Sequence, residues 1–546
     1  MKILFYIEPR IDIGMPYLRA FWLNGFATGI INTLIKSSIA HKFEYCIAIN
    51  EPLAEKYGKS NFNDNSIRII TQKELFPSFI GDAVDLSIAW YRETYTDEQI
   101  SYYVSLMTGH FSDFNPDIII TFTPVPYLRK AFPHALILHH EVSFFSKSPY
   151  PWVPYFDPSG MYFGKSSFLN KFQNDIKKFP LTVTQQALLN IFKKECQTVI
   201  RERSPFAKIL IPLKENFDHL ILLPLVGDRH YGFEGPCKLN MKNEYQYIVH
   251  ILEQIPRNIG VVVTYPPQLL NPYGNETIAF LEKQYPHFIY HDEFEKYCSV
   301  SQYLLAYVDM VVGLGTSICF QTLMWDNKFI DLGDMSIIAD SFDLGAIEEV
   351  LKREHQNKDN ILYWLLTRYA IQKHYLYDPE WLSRFLVSSL DKFRKGRITL
   401  DFYEPIDSDE NIFENLMKGI DKNIPCMNPI TSYNRLKSFH QTFGNSIDAK
   451  YAGLQEARHF EDLIAIGVDM ADGGRRDAAH VLFSRMLDRI NGVKRTLMNN
   501  IAVLHIQEER LEIAEEILTQ LMREDCGISD AQENLQKLRI MKNRDK

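Results

Sequence analysis

The stretch VDMVVGLGTSICFQTLMWDNKFIDLGD, residues 308–334, contains a strand–turn–helix–strand unit. Its apolar run VDMVVGL predicts a buried strand, SICFQTLMW has helical spacing, and KFIDLG predicts the next strand. Continuous apolar strands joined by helices are typical of a parallel sheet that is covered on both faces. The stretch therefore predicts an α/β fold with a glycine-containing turn at the carboxyl edge of the sheet.

The same alternation occurs twice along the chain. The predicted strands of the first part are KILFYI, FEYCIAIN, SIRIIT, PDIIITFT and HALILHH, and those of the second are HLILLPL, GVVVTYP, HFIYH, DMVVGLG and KFIDLG. We expect two Rossmann-like domains, at residues 1–190 and 191–396, with a helix over 182–202 connecting them. Because open α/β sheets bind ligands at their carboxyl edges, the two domains should face a shared cleft. Two α/β domains without a common site are the alternative.

The last part of the chain differs in character. Residues 397–450 are polar and irregular, which predicts a linker. Residues 451–546 have helical patterns and an internal repeat with a shift of 35 residues, in which Gly467 corresponds to Ala502 and Ala479 to Ala514. Small residues at a period near 34 are typical of the tetratricopeptide repeat. We expect a short all-α module that contacts a protein partner or packs on the rest of the chain; an unrelated helical bundle is the alternative.

Composition and charge limit the classes of partner. The 546 residues carry a formal net charge of −9, and no dense block of Lys and Arg is present, so we expect no nucleic-acid partner. The seven cysteines are scattered without a C-x-x-C pair, which indicates neither a zinc site nor a disulfide framework. The N-terminal apolar run is too short for a signal peptide, and no run is long enough to cross a bilayer. We expect a cytoplasmic protein. Peripheral contact with the inner face of a membrane is compatible with this location.

The turn in residues 308–334 is the first candidate for chemistry. Gly313 and Gly315 carry no side chain that would keep a ligand from the backbone, and Thr316 and Ser317 stand where a helix begins. Unpaired N–H groups and the helix dipole at such a position favour a phosphate. The alternative is that Thr316 or Ser317 only caps the helix.

A second candidate follows the fifth strand of the first part. Glu141 comes directly after LILHH, where a general acid or base of the cleft would stand, and a segment rich in proline and aromatic residues follows it. We expect that segment to be an ordered loop over the cleft. A local cap or salt bridge is the alternative role for Glu141. The motif HHE lacks the second histidine of H-E-x-x-H, so no zinc site is predicted.

Two further strand ends carry polar groups. Asp228, Arg229 and His230 follow HLILLPL, where a carboxylate can act as a nucleophile and a guanidinium can bind an anion. Tyr265 ends the strand GVVVTYP and should face the same edge. A charged loop without a role and a proline-terminated strand are the respective alternatives.

The segments that carry these residues resemble a known family. The runs PDIIITFTP, FPHALILHHEVSFFSKSPYP, HLILLPLVGDRHYGF and SQYLLAYVDMVVGLGTSICFQTLMWDNKFIDLG are similar to bacterial GT-B glycosyltransferases that make capsule and O-antigen, the retaining type that uses CMP-β-Kdo. The similarity extends over roughly residues 1–395. It implies a CMP-activated 3-deoxy-ulosonic acid donor at the second domain, an acceptor glycan or protein at the first, and no metal or other cofactor.

The resemblance also implies roles for single residues. Thr316 and Ser317 would bind the CMP phosphate, Asp228 would attack the anomeric carbon, and Glu141 would be the acid/base. Arg229 or His230 would hold the carboxylate of the donor.

This chain departs from the family at two positions. Tyr265 stands before Pro266 where the family tends to have a histidine, and Gln321 stands near the point where many GT-B enzymes hold the ribose with a glutamate. Either residue can still donate a hydrogen bond to a nucleotide. The departures leave open a UDP- or GDP-sugar hexosyltransferase or a sugar-nucleotide epimerase, and a non-catalytic scaffold that carries repeats is the alternative from another class.

Overall fold

The computed structural model describes residues 1–7, 22–50, 53–54, 66–75, 77, 80, 83–121, 123, 125–142, 144–145, 147–161, 164, 166–226, 235–239, 241, 244–265, 275–291, 293–294, 297, 300–333, 337–422, 468, 483, 494–507, 510–524 and 529–544. The strands of these residues are β1 Lys2–Tyr6, β2 Glu44–Ile49, β3 Ile67–Ile69, β4 Ile118–Thr121, β5 Leu136–Val142, β6 Pro154–Asp157, β7 His219–Pro224, β8 Ile259–Thr264, β9 Phe288–Ile289, β10 Met310–Gly313 and β11 Lys328–Asp331.

The α-helices of the same residues alternate with these strands and then continue alone. They are α1 Thr28–Leu34, α2 Gln72–Leu75, α3 Ala83–Arg92, α4 Asp97–His110, α5 Pro126–Ala131, α6 Phe168–Lys171, α7 Gln173–Lys177, α8 Val183–Arg203, α9 Ala207–Lys214, α10 Glu244–Gln254, α11 Asn275–Gln284, α12 Val300–Leu304, α13 Ser317–Gln321, α14 Ile347–Lys352, α15 Asp359–Trp364, α16 Lys373–Leu376, α17 Pro379–Arg394, α18 Asp409–Lys418, α19 Lys494–Gln507, α20 Leu511–Glu524 and α21 Ser529–Arg544.

The strands form two sheets. The first has the order β3-β2-β1-β4-β5-β6 and the second the order β11-β10-β7-β8-β9. All neighbouring strands are parallel except β5 and β6, which are antiparallel. The prediction of an α/β protein with two parallel sheets is therefore confirmed. In both sheets the chain reverses its direction of winding at one point, between β1 and β4 and between β7 and β10, as in Rossmann-like domains.

Strand β6 departs from the sequence prediction. The proline-rich segment after β5 was expected to be a loop, but residues 154–157 pair with β5 in the register His139 to Asp157 and Val142 to Pro154. A proline can begin an edge strand because no ladder partner then needs its missing N–H group. The carbonyl of Pro154 instead accepts a hydrogen bond from the backbone N–H of Ile371 at 2.8 Å.

Alternate residues of the strands enter different cores, as the period of a strand requires. In β5, Ile137 lies in a core cluster with residues of α3 and α4, whereas Leu136 and Leu138 lie in a larger cluster on the other face. That larger cluster also contains Val311 of the second sheet. The two halves of the chain therefore share one continuous apolar core.

The long helix α8 links the two halves. Thr182 and Gln185 form a capping box at its N-terminus, in which each side chain bonds the backbone N–H of the other residue. The helix contains 21 residues and is therefore roughly 30 Å long. Lys193, which is 7% exposed, donates from this helix to Asp326 at 2.7 Å and to Asp359 at 2.9 Å. The predicted connecting helix is thus fixed to elements of the second half.

The chain returns to the first half after the second sheet. Glu380 of α17 accepts hydrogen bonds from the backbone and hydroxyl groups of Ser38, and Arg394 of the same helix pairs with Asp117. Residues 373–394, which the sequence places in the second domain, therefore contact the first. Where the sequence predicts a linker, residues 397–422 contain α18, whose buried side chains join the shared core.

The three C-terminal helices pack on one another. Ala502 of α19 and Ala514 of α20 are completely buried, at the two positions where the repeat pattern places small residues. Of residues 451–493, which hold the first predicted repeat, only Val468 and Phe483 lie within the described residues. The helices exist, and their assignment to tetratricopeptide repeats stays a prediction.

Candidate functional site

Glu141, Tyr265, Gly313 and Gly315 lie at the carboxyl ends of strands of the two sheets. In the second sheet β10 pairs with β7, and β7 pairs with β8. The turn after β10, the loop after β7 and Tyr265 after β8 therefore leave three adjacent strands, which are about 4.8 Å apart. The first two flank the point where the winding reverses, at which open α/β sheets bind ligands. Asp228, Arg229 and His230 follow β7 in the sequence and lie outside the described residues.

The turn after β10 has local reasons for both of its glycines. Gly315 has a φ of 58°, which is in the left-handed region. A Cβ atom on Gly313 would lie 3.1 Å from the Sγ of Cys319. These constraints account for the glycines without a ligand, so the close approach of a phosphate to them stays a prediction.

Thr316 occupies the N-cap position of α13, but its side chain makes no capping hydrogen bond. The hydroxyl lies 3.6 Å from the Sγ of Cys319, and both Thr316 and Ser317 are partly exposed. The Thr316 hydroxyl therefore does not cap the helix, and its hydrogen-bond partner is the Sγ of Cys319. The predicted phosphate contact of Thr316 and Ser317 stays a prediction.

Gln321 connects the two halves directly. Its Nε2 donates to the carbonyl oxygen of Phe144 at 2.7 Å, and the rings of Phe144 and Phe320 stack with centroids 4.9 Å apart. Gln321 is completely buried, and its Oε1 has no hydrogen-bond partner among the described residues. The observed hydrogen bond holds the backbone of Phe144 against α13, and the contact of Gln321 with a ribose stays a prediction. The segment after Glu141 and the helix after the glycine turn are therefore packed against each other.

Glu141 stands at the carboxyl end of β5, opposite Tyr155 of β6. Its Oε2 is enclosed without a hydrogen-bond partner among the described residues. Burial raises the pKa of the Glu141 carboxyl from its ordinary value of 4.5 to about 8. Near neutral pH this group is therefore mostly protonated and able to donate a proton. The alternative of a local cap or salt bridge is not seen among the described residues.

Three more polar groups at the same edge lack partners, and the sequence prediction missed them. The hydroxyls of Thr121 and Thr123 and the Nε2 of His140 are buried without a hydrogen bond to any described residue. Burial lowers the pKa of His140 to about 3, so the ring is neutral. Buried polar atoms without partners are uncommon in native proteins. Thr121 pairs with His139 and so lies on the face of the sheet that holds Glu141, whereas His140 lies on the opposite face, where its ring stacks on Phe156. The only sequence signal was the change from isoleucine to threonine at the end of IIITFT.

Asp157 is the buried carboxylate of this region that has partners. It accepts hydrogen bonds from the backbone N–H groups of Ser159, Gly160 and Phe168 and from the hydroxyl of Tyr369. Burial, opposed by these hydrogen bonds, raises the pKa of Asp157 to about 6. These hydrogen bonds fix the chain after β6. Asp157 is therefore a buried carboxylate with four hydrogen-bond donors around it, whereas the buried Oε2 of Glu141 has none among the described residues.

The described residues contain no group of three or more His, Cys, Asp or Glu side chains that could hold a metal ion. Across those same parts of the chain, no helix has both the length and the apolar character needed to span a bilayer.

Comparisons with known proteins give distant similarity to GT-B-fold enzymes. No protein-family model and no curated protein sequence matches the chain. KpsC from Thermosulfurimonas dismutans, a β-Kdo 2,7 transferase, aligns with a TM-score of 0.32 and 11% identity over 56% of this chain and 97% of its own. The UDP-GlcNAc 2-epimerase of Methanocaldococcus jannaschii gives a TM-score of 0.26 and 11% identity over 66% of this chain and 98% of its own.

The heptosyltransferase WaaC of E. coli gives a TM-score of 0.16 and 11% identity over 61% of this chain and 87% of its own. Similarity this distant carries no argument about activity. The function has to be inferred from the geometry of this chain.

Proposed function

We propose that this protein is a glycosyltransferase that moves a sugar from a nucleotide-activated donor to an acceptor, with Glu141 as the acid/base. The observation that carries the proposal is the position of Glu141 at the edge of the first sheet, with its Oε2 buried and without a hydrogen-bond partner among the described residues. Burial raises the pKa of this carboxyl to about 8, which favours the protonated form. The contact between Gln321 and Phe144 fixes the segment after Glu141 on the helix that follows the glycine turn. The chain after Glu141, the proposed proton donor of the first half, is thereby fixed to helix α13. This helix begins at the predicted phosphate-binding turn of the second half.

The donor is proposed to be a CMP-activated 3-deoxy-ulosonic acid such as Kdo, on the strength of the sequence resemblance. The hydroxyls of Thr316 and Ser317 would bind its phosphate, Tyr265 would contribute from two strands away at the same sheet edge, and Arg229 or His230 would hold its carboxylate. The partial exposure of both residues and the absence of a capping hydrogen bond from Thr316 support this assignment. The neighbouring loop carries the proposed nucleophile, Asp228.

The proposed reaction is a double displacement. The carboxylate of Asp228 attacks the anomeric carbon, the bond from that carbon to the phosphate oxygen breaks, and Glu141 gives its proton to the departing phosphate. The acceptor hydroxyl then attacks the same carbon, the bond to Asp228 breaks, and the Glu141 carboxylate takes the hydroxyl proton. Each residue ends in its starting state, and the high pKa of Glu141 favours the protonated form that the first step needs.

A thermal-shift series followed by turnover assays tests the proposal. A ligand that binds only the folded state stabilises it by about 2.7 kcal/mol at a hundredfold excess over its Kd, so CMP should raise the melting temperature and UDP or GDP should not. Glu141→Gln should lower the rate of donor turnover by about 10²–10⁴-fold, and Asp228→Ala should abolish it. The exposed Glu98→Gln is the matched control and should retain full activity.

The other outcomes identify the alternatives. Stabilisation and turnover with UDP- or GDP-sugars would replace the CMP donor with a hexosyltransferase or an epimerase, which product analysis separates. No thermal shift with any of the nucleotides, together with full function of the Asp228→Ala protein, would instead favour a non-catalytic scaffold.

A further inference from the structure

A cavity of about 240 Å³ lies in the first half, between the end of α3, helix α5 and the chain after β6. Its floor contains Ile137 and His139 of β5 and the indole of Trp90, all of which are buried. Its rim carries Glu93, Tyr95, Arg129, Lys130 and Ser159. The volume is below the range of about 300–1,000 Å³ typical of sites for drug-sized ligands, so the cavity suits a group of roughly one sugar ring.

The cavity lies on the face of β5 to which Glu141 belongs. Because side chains alternate along a strand, Ile137, His139 and Glu141 are on one face, and successive members are about 6.6–6.8 Å apart. The first two line the cavity and the third follows directly at the carboxyl edge. A ligand that fills the cavity and extends toward this edge therefore arrives at the proposed acid/base.

The rim of the cavity is rich in cations with unused hydrogen-bonding capacity. Among the described residues Arg129 makes one long hydrogen bond, to the carbonyl oxygen of Ser159 at 3.4 Å, and a guanidinium has five N–H donors. The ammonium of Lys130 lies 5.7 Å from the ring centroid of Tyr95. Both cations are exposed, and the acidic side chain that lines the cavity is Glu93. The rim can therefore form charge-assisted hydrogen bonds with an anion.

The floor of the cavity supports the same assignment. The indole N–H of Trp90 is buried without a hydrogen-bond partner among the described residues, so an acceptor for it is missing. Burial first, and then the positive charges of Arg129 and Lys171, lower the pKa of His139 to about 3. The imidazole is therefore neutral, and the local field is positive. An aromatic floor below a cationic rim suits the apolar face of a sugar ring that carries a negative group.

One wall of the cavity is fixed to the second half. Arg92, the last residue of α3, donates to the carbonyl oxygen of Cys237 at 2.7 Å and to that of Gly235 at 3.3 Å. Residues 235–237 come directly after the stretch that contains Asp228. The cavity is thus bounded by a helix end attached to the segment beyond the proposed nucleophile.

We propose that this cavity binds an acidic sugar of the acceptor, with its carboxylate or phosphate on Arg129 and Lys130 and its ring over Trp90. In that position the sugar presents a hydroxyl toward Glu141. This inference rests on the proposed glycosyltransferase function. It adds the chemical class of the acceptor and the residues that select it.

Ligand-observed NMR with free sugars tests the inference without the transfer reaction. The probes are glucuronate, glucose 6-phosphate and glucose, each titrated into the full chain in the absence of a donor. At least one of the two anionic sugars should saturate the wild-type protein and bind about tenfold or more tightly than glucose, which corresponds to roughly 1.4 kcal/mol. Preference for glucuronate or for glucose 6-phosphate decides between a carboxylate and a phosphate.

The variants make the test specific to the cavity. Arg129→Gln with Lys130→Gln should weaken binding of the anionic sugar by about tenfold or more. Lys36→Gln with Lys42→Gln removes the same charge from two other exposed positions of the first half and should leave binding unchanged. Melting temperatures of both double variants should equal that of the wild type, because all four side chains are exposed.

Equal binding of glucose and the anionic sugars, no binding of any of them, or undiminished binding by the cavity variant would overturn the inference. Failure of the proposed function has a different signature. Nucleotides would then give no thermal shift and donors no turnover, whatever the sugars do.

Discussion

The titration of Glu141 gives a prediction that can be worked from the structure. The folded state holds this carboxyl in a site without hydrogen-bond partners among the described residues, and burial raises its pKa from 4.5 to about 8. The unfolded chain ionises the same group near 4.5. Between these two values the folded state binds one proton more than the unfolded state, so stability falls as the pH rises. The contribution is fully present below pH 4.5 and is lost once the pH has passed 8.

The magnitude follows from linkage. A full difference of one proton costs about 1.4 kcal/mol per pH unit. Between pH 5.5 and 7.5, Glu141 should lower the free energy of unfolding by about 2.5 kcal/mol. Glu141→Gln keeps the size of the side chain and removes its titration. The free energy of unfolding of the variant minus that of the wild type should therefore rise by about 2.5 kcal/mol between pH 5.5 and 7.5.

Chemical denaturation of both proteins at the two pH values measures this difference, because all other titrating groups cancel in the comparison. The infrared carbonyl band of a protonated carboxylic acid gives an independent reading, since the difference spectrum of wild type minus Glu141→Gln contains one such group and should fade near pH 8. The surface variant Glu98→Gln should follow the wild type in both assays. Equal slopes for wild type and Glu141→Gln, or a band that fades near pH 4.5, would refute the enclosed, protonated carboxyl and with it the proposed acid.

Two further predictions concern the contacts that position the site. Asp157→Ala should lower the free energy of unfolding by about 3–5 kcal/mol, because four buried donors lose their acceptor. Tyr369→Phe removes one of these hydrogen bonds and should lower it by about 1–2 kcal/mol. Similar values for the two variants in urea denaturation would contradict this ranking. Lys193→Met should lower the free energy of unfolding by about 3–5 kcal/mol, because the carboxylate of Asp359, which is 8% exposed, loses its paired cation. Adding Asp359→Asn should recover part of that loss. If the effects of the two substitutions on the free energy of unfolding are additive, the coupling is excluded.

The strands were predictable because each is a short, continuous apolar run between turn residues. Strand β6 was not, because its four residues stand in a segment with several prolines, and its pairing depends on the edge that β5 leaves open. Residues 397–422 have a polar composition, yet α18 places Ile412, Phe413 and Leu416 at helical spacing in the shared core. A polar composition predicts a linker here. Three apolar residues at helical spacing are too few to predict a buried helix until the core on which they pack is known.

The places of Glu141 and Gly313 in the fold were predictable from the sequence, whereas their surroundings were not. The sequence places Glu141 and Gly313 at strand ends, and parallel strands bring their carboxyl ends to one edge. It does not reveal that the hydroxyl of Thr121 and the Nε2 of His140 lack partners, since a missing hydrogen bond is a property of the folded surroundings. For the same reason, the contact of Gln321 with Phe144, 177 residues away in sequence, could not be inferred from either segment alone.

The shared core has a consequence for how the site works. Domains joined by a small polar interface move relative to each other, whereas a large apolar interface holds them in one arrangement. Here Leu138 beneath the first edge and Val311 beneath the second belong to one buried cluster, and the contacts of Gln321 and Arg92 tie the halves above it. The orientation of Glu141 relative to the turn at Gly313 is therefore set before a substrate binds. For the proposed acid and the predicted anion site, such a fixed arrangement would lower the reorganisation needed at the moment of group transfer.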